Sequence, residues 1–454
     1  MAVAGTLIHD AQVITVDEHR RELSSAWVLI DGATIAAVST DPIDDLPTEV
    51  THVDGRGCVL TPGLVNTHHH LYQWITRGLA ADHTLFQWLT TLYPIWAGID
   101  ETAVHTAALG GIGQLVMSGC TTTTDHHYVF PREGGDLLGA EIGAAATIGV
   151  RFHPTRGSMD LSEKDGGLPP DSVVQGIDEI LEACSDAVAR WHDPRPGSLL
   201  QIALAPCSPF SVTTDLLRES ASLARELGVR MHTHLAESPD ENTYCDQHFG
   251  CTPLQYMESV GWVGDDVWFA HGIEFADDEI ARLAATSTGV AHCPTSNARL
   301  GNRICRTREL VDAGVPVGLG VDGAASNESA RLLEEAHQAV LMARARGGPT
   351  ALTTRTAIEL ATLGGARVLG RDKEIGSIEV GKLADLVLWD LSGPAHAGID
   401  DPVAALVLGA IPPIRGTWVG GRRIVTDNDL VTADLDAVAA DCAAEHRRLL
   451  DKAG

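Results

Sequence analysis

Lysine is scarce in this chain of 454 residues, which contains only four. Lys164 lies in a polar loop and the other three lie near the C-terminus, so no lysine ends an apolar run in the middle of the chain. A site with two metal ions bridged by a modified lysine is therefore not expected. Acidic residues outnumber basic ones by 61 to 32, and the formal net charge is −29. Nucleic acids and anionic membrane surfaces bind clustered Lys and Arg, so both are excluded as partners.

Long apolar runs and paired cysteines are also missing. The chain has no stretch of about 18 apolar residues, which excludes a membrane-spanning helix. Its nine cysteines are odd in number and scattered without a C-x-x-C pair, so we expect neither a disulfide framework nor a cysteine zinc site. Met1–Ala4 lacks the basic start of a secretory signal. We therefore expect a protein of the reducing cytoplasm.

Eight short apolar runs in the middle of the chain each end in polar, chemically useful residues. Helical patterns alternate with these runs, which indicates parallel strands joined by crossover helices. We predict an α/β fold of the (β/α)8, TIM-like type, whose active site lies where the C-terminal ends of the strands meet. The predicted strands are Cys58–Val65, Gly119–Thr124, Val150–Thr155, Leu199–Pro206, Val229–Thr233, Val267–Ala270, Gly289–Cys293 and Val315–Val321. Predicted helices include Thr213–Leu227, capped by Thr214 or Asp215, then Ser329–Arg344 and Thr354–Leu369.

The two ends of the chain share a different pattern. Residues 6–60, 376–389 and 417–425 contain short β segments separated by turns. We predict that both ends form one small β-sandwich, with the barrel inserted between them. The predicted parts are 1–57 for the first half of the sandwich, 58–375 for the barrel, and 376–454 for the second half with a C-terminal helix.

Two histidines at the end of the first predicted strand indicate a metal site. His68 and His70 are two residues apart, and residues i and i+2 of a strand point to the same side, so both imidazoles can converge on one ion. A polar strand end, or a histidine run without function, is the alternative. The buried pattern of Pro62–Asn66 before them favours the metal site. His69 faces the other way and is expected to be structural.

A third imidazole and a carboxylate come from later strand ends. Either His232 or His234 could bind the ion, and His234 is preferred because it is closer to the mouth of the barrel. Asp322 follows the eighth strand, which lies beside the first in a closed barrel. Three histidines and one aspartate leave a position for water, as in catalytic rather than structural sites. Glu237, three residues after His234, is placed to work beside the ion rather than on it.

Further polar residues follow other predicted strands. A lone histidine is commonly a core residue, but His271 lies at a strand end, where it could hold hydroxide or polarise a substrate. Asp125 and His126 are expected to brace the site. Ser296 and Asn297 are expected to shape its rim.

These residues lie in motifs that resemble the amidohydrolase superfamily along nearly the whole chain. The resemblance is to its mononuclear branch, which contains purine, pyrimidine and triazine aminohydrolases. Two further segments resemble the aminohydrolases that act on 8-oxoguanine. The superfamily motifs are P-G-L-V-N-T-H-H-H at 62–70, H-T-H-L-A-E at 232–237, A-H-G at 270–272 and G-V-D-G at 320–323, and the further segments are 155–159 with 163–170, and 204–212.

The resemblance implies a cofactor and a mechanism. The cofactor is one divalent ion held by the three histidines and the aspartate; zinc is expected, with iron or manganese as alternatives. Asp322 takes a proton from water while His271 steadies the oxygen. Glu237 protonates the ring nitrogen as metal-activated hydroxide attacks the amine-bearing carbon, and ammonia leaves. The resemblance also implies a homodimer or larger homo-oligomer.

Contacts to a planar base are predicted at four positions. Gln73 and Arg156 could hydrogen-bond its carbonyl and ring nitrogens; for Arg156, an internal salt bridge or a loop brace is the alternative. Cys207 is expected to line the pocket rather than act as a reactive thiol, because no partner base lies near it in the sequence. Glu237 is the fourth contact, at the ring nitrogen.

We therefore predict a metal-dependent hydrolytic deaminase that acts on the C–N bond of a cyclic amidine. The expected substrate is an oxidised purine-like base, with 8-oxoguanine preferred. Isocytosine, or an s-triazine that loses chloride or an alkylamine, is the alternative within the same superfamily. A non-catalytic barrel used for assembly is the alternative outside it, and the complete set of ligands weighs against it.

Overall fold

Eight parallel strands close into a barrel in the part of the chain that the structure, a computed structural model, describes: residues 5–42 and 49–454. The predicted α/β barrel is thereby confirmed. In chain order the barrel strands are Leu64–Asn66, Cys120–His127, Arg151–Ser158, Ala203–Pro206, Met231–Leu235, Val267–His271, Gly289–His292 and Val317–Leu319.

The first predicted strand, Cys58–Val65, is two strands in the structure. Cys58–Pro62 pairs within a separate sheet formed by the chain ends, and Leu64–Asn66 alone belongs to the barrel. Gly63 joins the two strands where the backbone passes close to the second barrel strand, since a Cβ there would meet Thr121 Oγ1 at 2.0 Å. The prediction merged the two strands because both are apolar and no loop separates them.

The eighth barrel strand lies beside the first, as predicted, with Leu319 paired to Asn66. Beyond this pair, Asp322–Gly323 runs parallel to His69–His70 and pairs with it. The two segments of the chain therefore continue side by side beyond the ends of the first and eighth strands. This pairing brings Asp322 next to the histidine motif.

Strands from both ends of the chain form the predicted second sheet domain. The sheet curls, so that Thr34 bridges to Leu383 and the amide of Ala384 donates to the carbonyl of Ala33 at 2.8 Å. Its apolar side chains enclose a small core of their own. Among the described residues the nine strands are Gly5–Ile14, Glu22–Asp31, Thr34–Ser39, Val50–Asp54, Cys58–Pro62, Leu386–Asp390, Ile414–Val419, Arg422–Thr426 and Asp429–Leu430.

The division of the chain after residues 57 and 375 stays a prediction. Residues 1–4 and 43–48 of its first part lie outside the described residues. The pairing of Cys58–Pro62 with Leu386–Asp390 favours a first boundary near Gly63.

Helices cover the outside of the barrel. Their bounds are Leu85–Trp96, Glu101–Val116, Leu137–Ile148, Ile177–Trp191, Thr214–Leu227, Pro239–Phe249, Pro253–Ser259, Asp277–Thr286, Pro294–Arg299, Thr307–Ala313, Leu332–Gly347, Thr354–Glu359, Gly365–Val368, Pro402–Leu408 and Leu435–Ala453. Short 3-10 helices lie at Leu71–Thr76, Glu163–Asp165 and Asp171–Val173, and a π-helical turn at Leu360–Gly364. No helix within the described ranges has both the length and the apolar character needed to cross a membrane.

Three helix predictions need correction. Thr213, not Thr214 or Asp215, caps the fifth helix, because its side chain accepts the amide of Leu216 at 3.2 Å. The helix expected from Ser329 begins at Leu332. The helix expected over 354–369 is interrupted by the π-helical turn.

The C-terminal helix Leu435–Ala453 packs against Leu71–Thr76, the segment that follows the histidine motif. His446 Nδ1 donates to the carbonyl of Ile75 at 2.7 Å. Cys442 Sγ donates to the carbonyl of Thr106 at 3.4 Å. The far end of the chain therefore supports the backbone next to the histidines.

Candidate active site

The structure brings four predicted ligands together at the C-terminal mouth of the barrel. His68 Nε2 and His70 Nε2 lie 3.2 and 3.3 Å from Asp322 Oδ1. His70 Nε2 lies 3.1 Å from His234 Nε2. All four side chains are buried. Side chains from the first, fifth and eighth strand ends thus meet at one point.

Backbone carbonyls fix the rings of His70 and His234. His70 Nδ1 donates to the carbonyl of His126, and His234 Nδ1 to that of Cys207, both at 2.7 Å. Because a carbonyl only accepts, each Nδ1 carries the proton, so Nε2 bears a lone pair whenever the ring is neutral. Burial lowers the pKa of His234 well below its ordinary value, which keeps its ring neutral. The lone pair on Nε2 of His234 therefore faces Nε2 of His70.

His232 fixes His68 in the same way through one more ring. His232 Nδ1 donates to the carbonyl of Trp268 at 2.9 Å, so its Nε2 is the acceptor for His68 Nδ1 at 2.8 Å. Burial lowers the pKa of His232 to about 3 and that of His68 well below its ordinary value. The Nε2 lone pair of His68 then points into the cluster. The structure thus separates the two candidates on the fifth strand: His234 faces the cluster, and His232 holds His68.

The resulting donor set fits one divalent cation. His68 Nε2 is fully buried, and within the described ranges no group hydrogen-bonds to it. Lone pairs of neutral rings repel at these distances unless a cation lies between them. Ring nitrogens and a carboxylate oxygen are ligands that zinc binds, and iron and manganese accept similar sets. The cluster can therefore hold a metal ion with three histidines and one carboxylate.

Unusual backbone conformations aim the side chains at three strand ends. Ala236, His271 and Asp322 have φ values of 54°, 73° and 62°, a left-handed conformation that residues other than glycine rarely adopt. Such strain persists only where neighbouring groups hold it, and it is concentrated at functional sites. Ser296 Oγ donates to Asp322 Oδ2 at 2.5 Å, and the amide of Gly323 donates to Oδ1 at 2.7 Å. Ser296 is therefore not a rim residue, because it orients the carboxylate.

Glu237 and His271 lie beside the ligand cluster. His271 Nε2 is 3.5 Å from Glu237 Oε2 and 4.0 Å from Asp322 Oδ2. An asparagine holds each of the two groups: His271 Nδ1 donates to Asn297 Oδ1 at 2.9 Å, and Asn302 Nδ2 donates to Glu237 Oε1 at 3.4 Å. Burial, followed by the negative charge of Asp322, raises the pKa of Glu237 well above its usual range. The site therefore favours the protonated form of Glu237.

Glu241 shapes the backbone that presents Glu237, and the sequence analysis missed it. Its two carboxylate oxygens accept the amides of Ala236 and Glu237 at 3.0 and 2.9 Å. Ser238 caps the helix Pro239–Phe249, and Ser-x-x-Glu is the signature of a capping box. That signature marks Glu241. In the structure, however, the carboxylate of Glu241 extends beyond the Ser238 cap to the residues that follow the fifth barrel strand.

Gln73 lines the cavity above the cluster. Its Oε1 is buried, and the described part of the chain offers it no hydrogen-bond donor. A Cβ at Gly323 would meet Gln73 Oε1 at 1.8 Å, so this position of Gln73 requires a glycine there. The other walls are mostly apolar and aromatic, as suits a flat heterocycle. They include Leu85, Trp88, Leu89, Tyr93, Tyr128, Cys207, Ser208 and Phe210.

Cys207 contributes both a side chain and a carbonyl to the site. Burial raises the pKa of its thiol to about 12, which disfavours the thiolate that a nucleophile needs. Its carbonyl accepts the Nδ1 proton of His234 at 2.7 Å and the Thr233 hydroxyl at 3.1 Å.

Arg156 does not line this cavity. Its guanidinium lies 3.6 Å from the centre of the Phe130 ring and donates to Gln175 Oε1 at 2.8 Å, in a separate groove between two outer helices. The side chain points out of the barrel, because neighbouring residues of a strand face opposite sides. The contact to Gln175 matches the loop brace considered as an alternative. Gln73, Cys207 and Glu237 are the predicted contacts that the structure places in the cavity.

The second barrel strand braces the cluster, as expected for Asp125 and His126. Asp125 Oδ1 accepts the amide of Leu71 at 2.6 Å. The His126 ring stacks on His234 with centroids 4.7 Å apart. His69 turns away from the cluster, and its Nδ1 accepts the amide of the residue that follows it at 2.8 Å.

Barrel architecture, buried nitrogen ligands and a carboxyl group whose burial favours its protonated form together define a class, the metal-dependent hydrolases. The profile of the amidohydrolase family matches residues 59–425, and the chain belongs to that family. It is a hydrolytic aminohydrolase, as its relatives are. The 8-oxoguanine deaminase of Pseudomonas aeruginosa is 46% identical over 389 residues, which cover 85% of this chain and 86% of the relative. An isoxanthopterin deaminase from an unknown prokaryotic organism is 36% identical, over 98% of this chain and 97% of the relative.

A solved structure shares this fold. Atrazine chlorohydrolase from Arthrobacter aurescens TC1, complexed with zinc, superposes with a TM-score of 0.93. It is 32% identical, and the match covers 97% of this chain and 100% of that one.

Proposed function

We propose that this protein is a metal-dependent deaminase of 8-oxoguanine. The observation that carries the proposal is the convergence of three imidazole Nε2 lone pairs and Asp322 Oδ1 beside a carboxyl group, that of Glu237, whose environment favours the protonated form. A metal-assisted hydrolysis with proton delivery needs these parts.

His68, His70, His234 and Asp322 would hold one divalent ion, and zinc fits the donor set. The ion, when bound, lowers the pKa of water from roughly 15.7 toward about 7 and so makes hydroxide available at neutral pH. The zinc in the related atrazine chlorohydrolase supports this choice of metal.

The protein's own residues would move the protons. Asp322, oriented by Ser296, accepts a proton from the attacking water. His271, with its Nδ1 proton held by Asn297, presents Nε2 toward the same space and steadies the oxygen. Glu237 gives its proton to the ring nitrogen as oxygen bonds to the amine-bearing carbon, and such transfers typically contribute about 10²–10⁴-fold.

The products follow from the proton balance. The proton on the ring nitrogen comes from Glu237. Of the two water protons, Asp322 passes the first to the leaving amine, and the second, released from the new C–OH group, restores Glu237. The carbon–amine bond breaks, the base gains a carbonyl, and ammonia leaves.

Gln73 would recognise the base. Its free, buried Oε1 accepts an N–H of the substrate, and the aromatic walls pack against the ring faces. The 46% identity to an 8-oxoguanine deaminase favours an oxidised purine over the smaller isocytosine and s-triazine rings.

A substrate comparison tests the proposal. Zinc-loaded protein is assayed for ammonia release from 8-oxoguanine, isoxanthopterin, isocytosine and hydroxylated s-triazines under one set of conditions. The highest kcat/KM is expected for 8-oxoguanine. A higher kcat/KM for another base would make that base the assigned substrate. Absence of ammonia release from every base tested would overturn the deaminase assignment.

We also propose a cytoplasmic homo-oligomer. All nine cysteines are free in the described chain, eight of them buried, which supports a reducing compartment. The solution mass of the purified protein measures the oligomeric state.

A further inference from the structure

A second pocket lies directly behind the catalytic groups. It encloses about 330 Å³ of space, part of it open to solvent. Its floor is buried, and its mouth is formed by exposed and half-buried side chains. The floor is formed by His292, Pro294, Asn297 and Cys305. The mouth is formed by Ala298, Asn302, Arg303, Ile304 and Met342.

Two asparagines separate this side pocket from the active site. Asn297 accepts the Nδ1 proton of His271 and also lines the side pocket. Asn302 donates to Glu237 and also lines the side pocket. The side chain of Asn297 therefore lies between His271 and the side pocket, and that of Asn302 lies between Glu237 and the side pocket.

The side pocket has polar groups without protein partners. Asn297 Nδ2 and His292 Nδ1 are buried, and the described residues provide neither with a hydrogen-bond partner. Buried polar groups are seldom left unpaired in folded proteins. Burial lowers the pKa of His292 to about 3, so its ring is neutral and offers one donor and one acceptor. A small molecule that both donates and accepts hydrogen bonds would satisfy both residues.

We propose that this side pocket binds the ammonia released by the reaction and provides its exit. The inference rests on the proposed deamination, in which water adds to the ring carbon and the carbon–amine bond breaks to give ammonia. Ammonia accepts one hydrogen bond, from the Asn297 amide, and donates to His292. It leaves past Ala298 while the base still fills the main cavity.

The charges around the side pocket favour the neutral molecule. Among residues 5–42 and 49–454, its lining contains no carboxylate that would bind ammonium. The one cationic side chain at the mouth, Arg303, pairs with Glu274 at 2.9 Å. Water has the same hydrogen-bonding capacity as ammonia, so the experiment must distinguish the two.

The first test narrows the mouth of the side pocket. Ala298 is exposed, and Ala298→Trp places a large ring at the mouth without touching a catalytic group. Ala146→Trp, at an exposed position of the helix Leu137–Ile148, is the matched control. Both variants are compared with wild type in single-turnover and steady-state assays.

Release through the side pocket predicts a specific pattern. Ala298→Trp should keep the single-turnover rate of base formation within about twofold while its steady-state kcat falls roughly fivefold or more, because product release becomes limiting. Equal steady-state rates for both tryptophan variants would overturn the inference. Absence of turnover in wild type would instead contradict the proposed function.

The second test identifies the occupant. Ammonium chloride is added at alkaline pH, with sodium chloride at equal ionic strength as the control. Ammonia should inhibit wild type noncompetitively with respect to the base, and His292→Phe, which removes the polar floor, should weaken that inhibition about tenfold. Competitive inhibition, or inhibition unchanged in His292→Phe, would overturn the assignment to ammonia and leave water as the occupant.

Discussion

The Nε2 atoms of His70 and His234 lie 3.1 Å apart although both rings donate their Nδ1 protons to backbone carbonyls. No proton lies between the two atoms when both rings are neutral, so their lone pairs oppose each other. The backbone of neighbouring strands enforces this arrangement: His126 belongs to the second strand, and Cys207 follows the fourth. The folded protein thus holds the two rings in a geometry that a bound cation stabilises.

Removal of the divalent ion should abolish ammonia release and lower the Tm. A ligand that binds only the folded state stabilises it by about 4 kcal/mol at a concentration about 1,000 times its Kd. Calorimetry and activity are measured before chelation, after chelation, and after zinc is returned. Full activity in a stripped preparation would contradict the metal assignment.

Replacement of His232 should weaken metal binding even though His232 is not a ligand. His232→Leu removes the acceptor that orients His68, and loss of such a supporting group typically lowers metal affinity about 10–100-fold. Affinity is measured by competition with a chelator. His153→Leu is the control, since His153 also lies near Trp268, with ring centroids 6.0 Å apart, but does not contact the cluster. Equal losses in both variants would indicate a general packing effect.

Glu237→Gln should retain the metal and lose most turnover. Glutamine preserves the size of the side chain and the contact with Asn302 but cannot deliver a carboxyl proton, which is expected to lower kcat about 10²–10⁴-fold. Metal content is measured on the same samples as the kinetics. Rates near those of wild type would remove Glu237 from the proton transfer.

Gly323→Ala should act through Gln73. The new methyl group displaces the Gln73 amide, and loss of one hydrogen bond, about 1 kcal/mol, lowers kcat/KM roughly fivefold. Gln73→Ala should cause a similar loss, and adding Gly323→Ala to it should cost little more. Additive losses would show that Gly323→Ala disturbs something else, such as Asp322, which metal analysis detects.

Buried neutral histidines should make the protein sensitive to acid, and His292 provides a direct test. Its pKa is about 3 in the fold against an ordinary value of 6.5, so the unfolded chain binds the extra proton between these limits. Between these two pKa values, protonation of His292 in the unfolded chain lowers the free energy of unfolding of wild type by about 1.4 kcal/mol for each unit by which the pH falls. Urea titrations should show His292→Asn losing less stability over that range. Parallel curves for the two proteins would contradict this assignment.

The sequence predicted the barrel because polar residues repeatedly end apolar runs. It also predicted the clustered ligands, because His68-x-His70 and Asp322 follow strands that closure makes neighbours. It merged Cys58–Pro62 with Leu64–Asn66, since strands of two different sheets follow each other without a loop. Strand pairing, which the apolar pattern does not reveal, separates them.

Side-chain direction was harder to predict than position along a strand. Arg156 lies in a third strand that ends at Ser158, but it points outward onto Phe130. Ser296 and Asn297 were expected at the rim, and the structure shows them holding Asp322 and His271. Such roles depend on atoms brought together from distant strands.

The contact between Leu435–Ala453 and Leu71–Thr76 has a consequence for biosynthesis. Gln73 precedes seven of the eight barrel strands, yet the helix that supports its segment is translated only after all eight. The nascent polypeptide can acquire most of its barrel while the base-recognition wall is still unsupported. A premature stop before this helix would therefore impair substrate affinity before it impaired metal uptake.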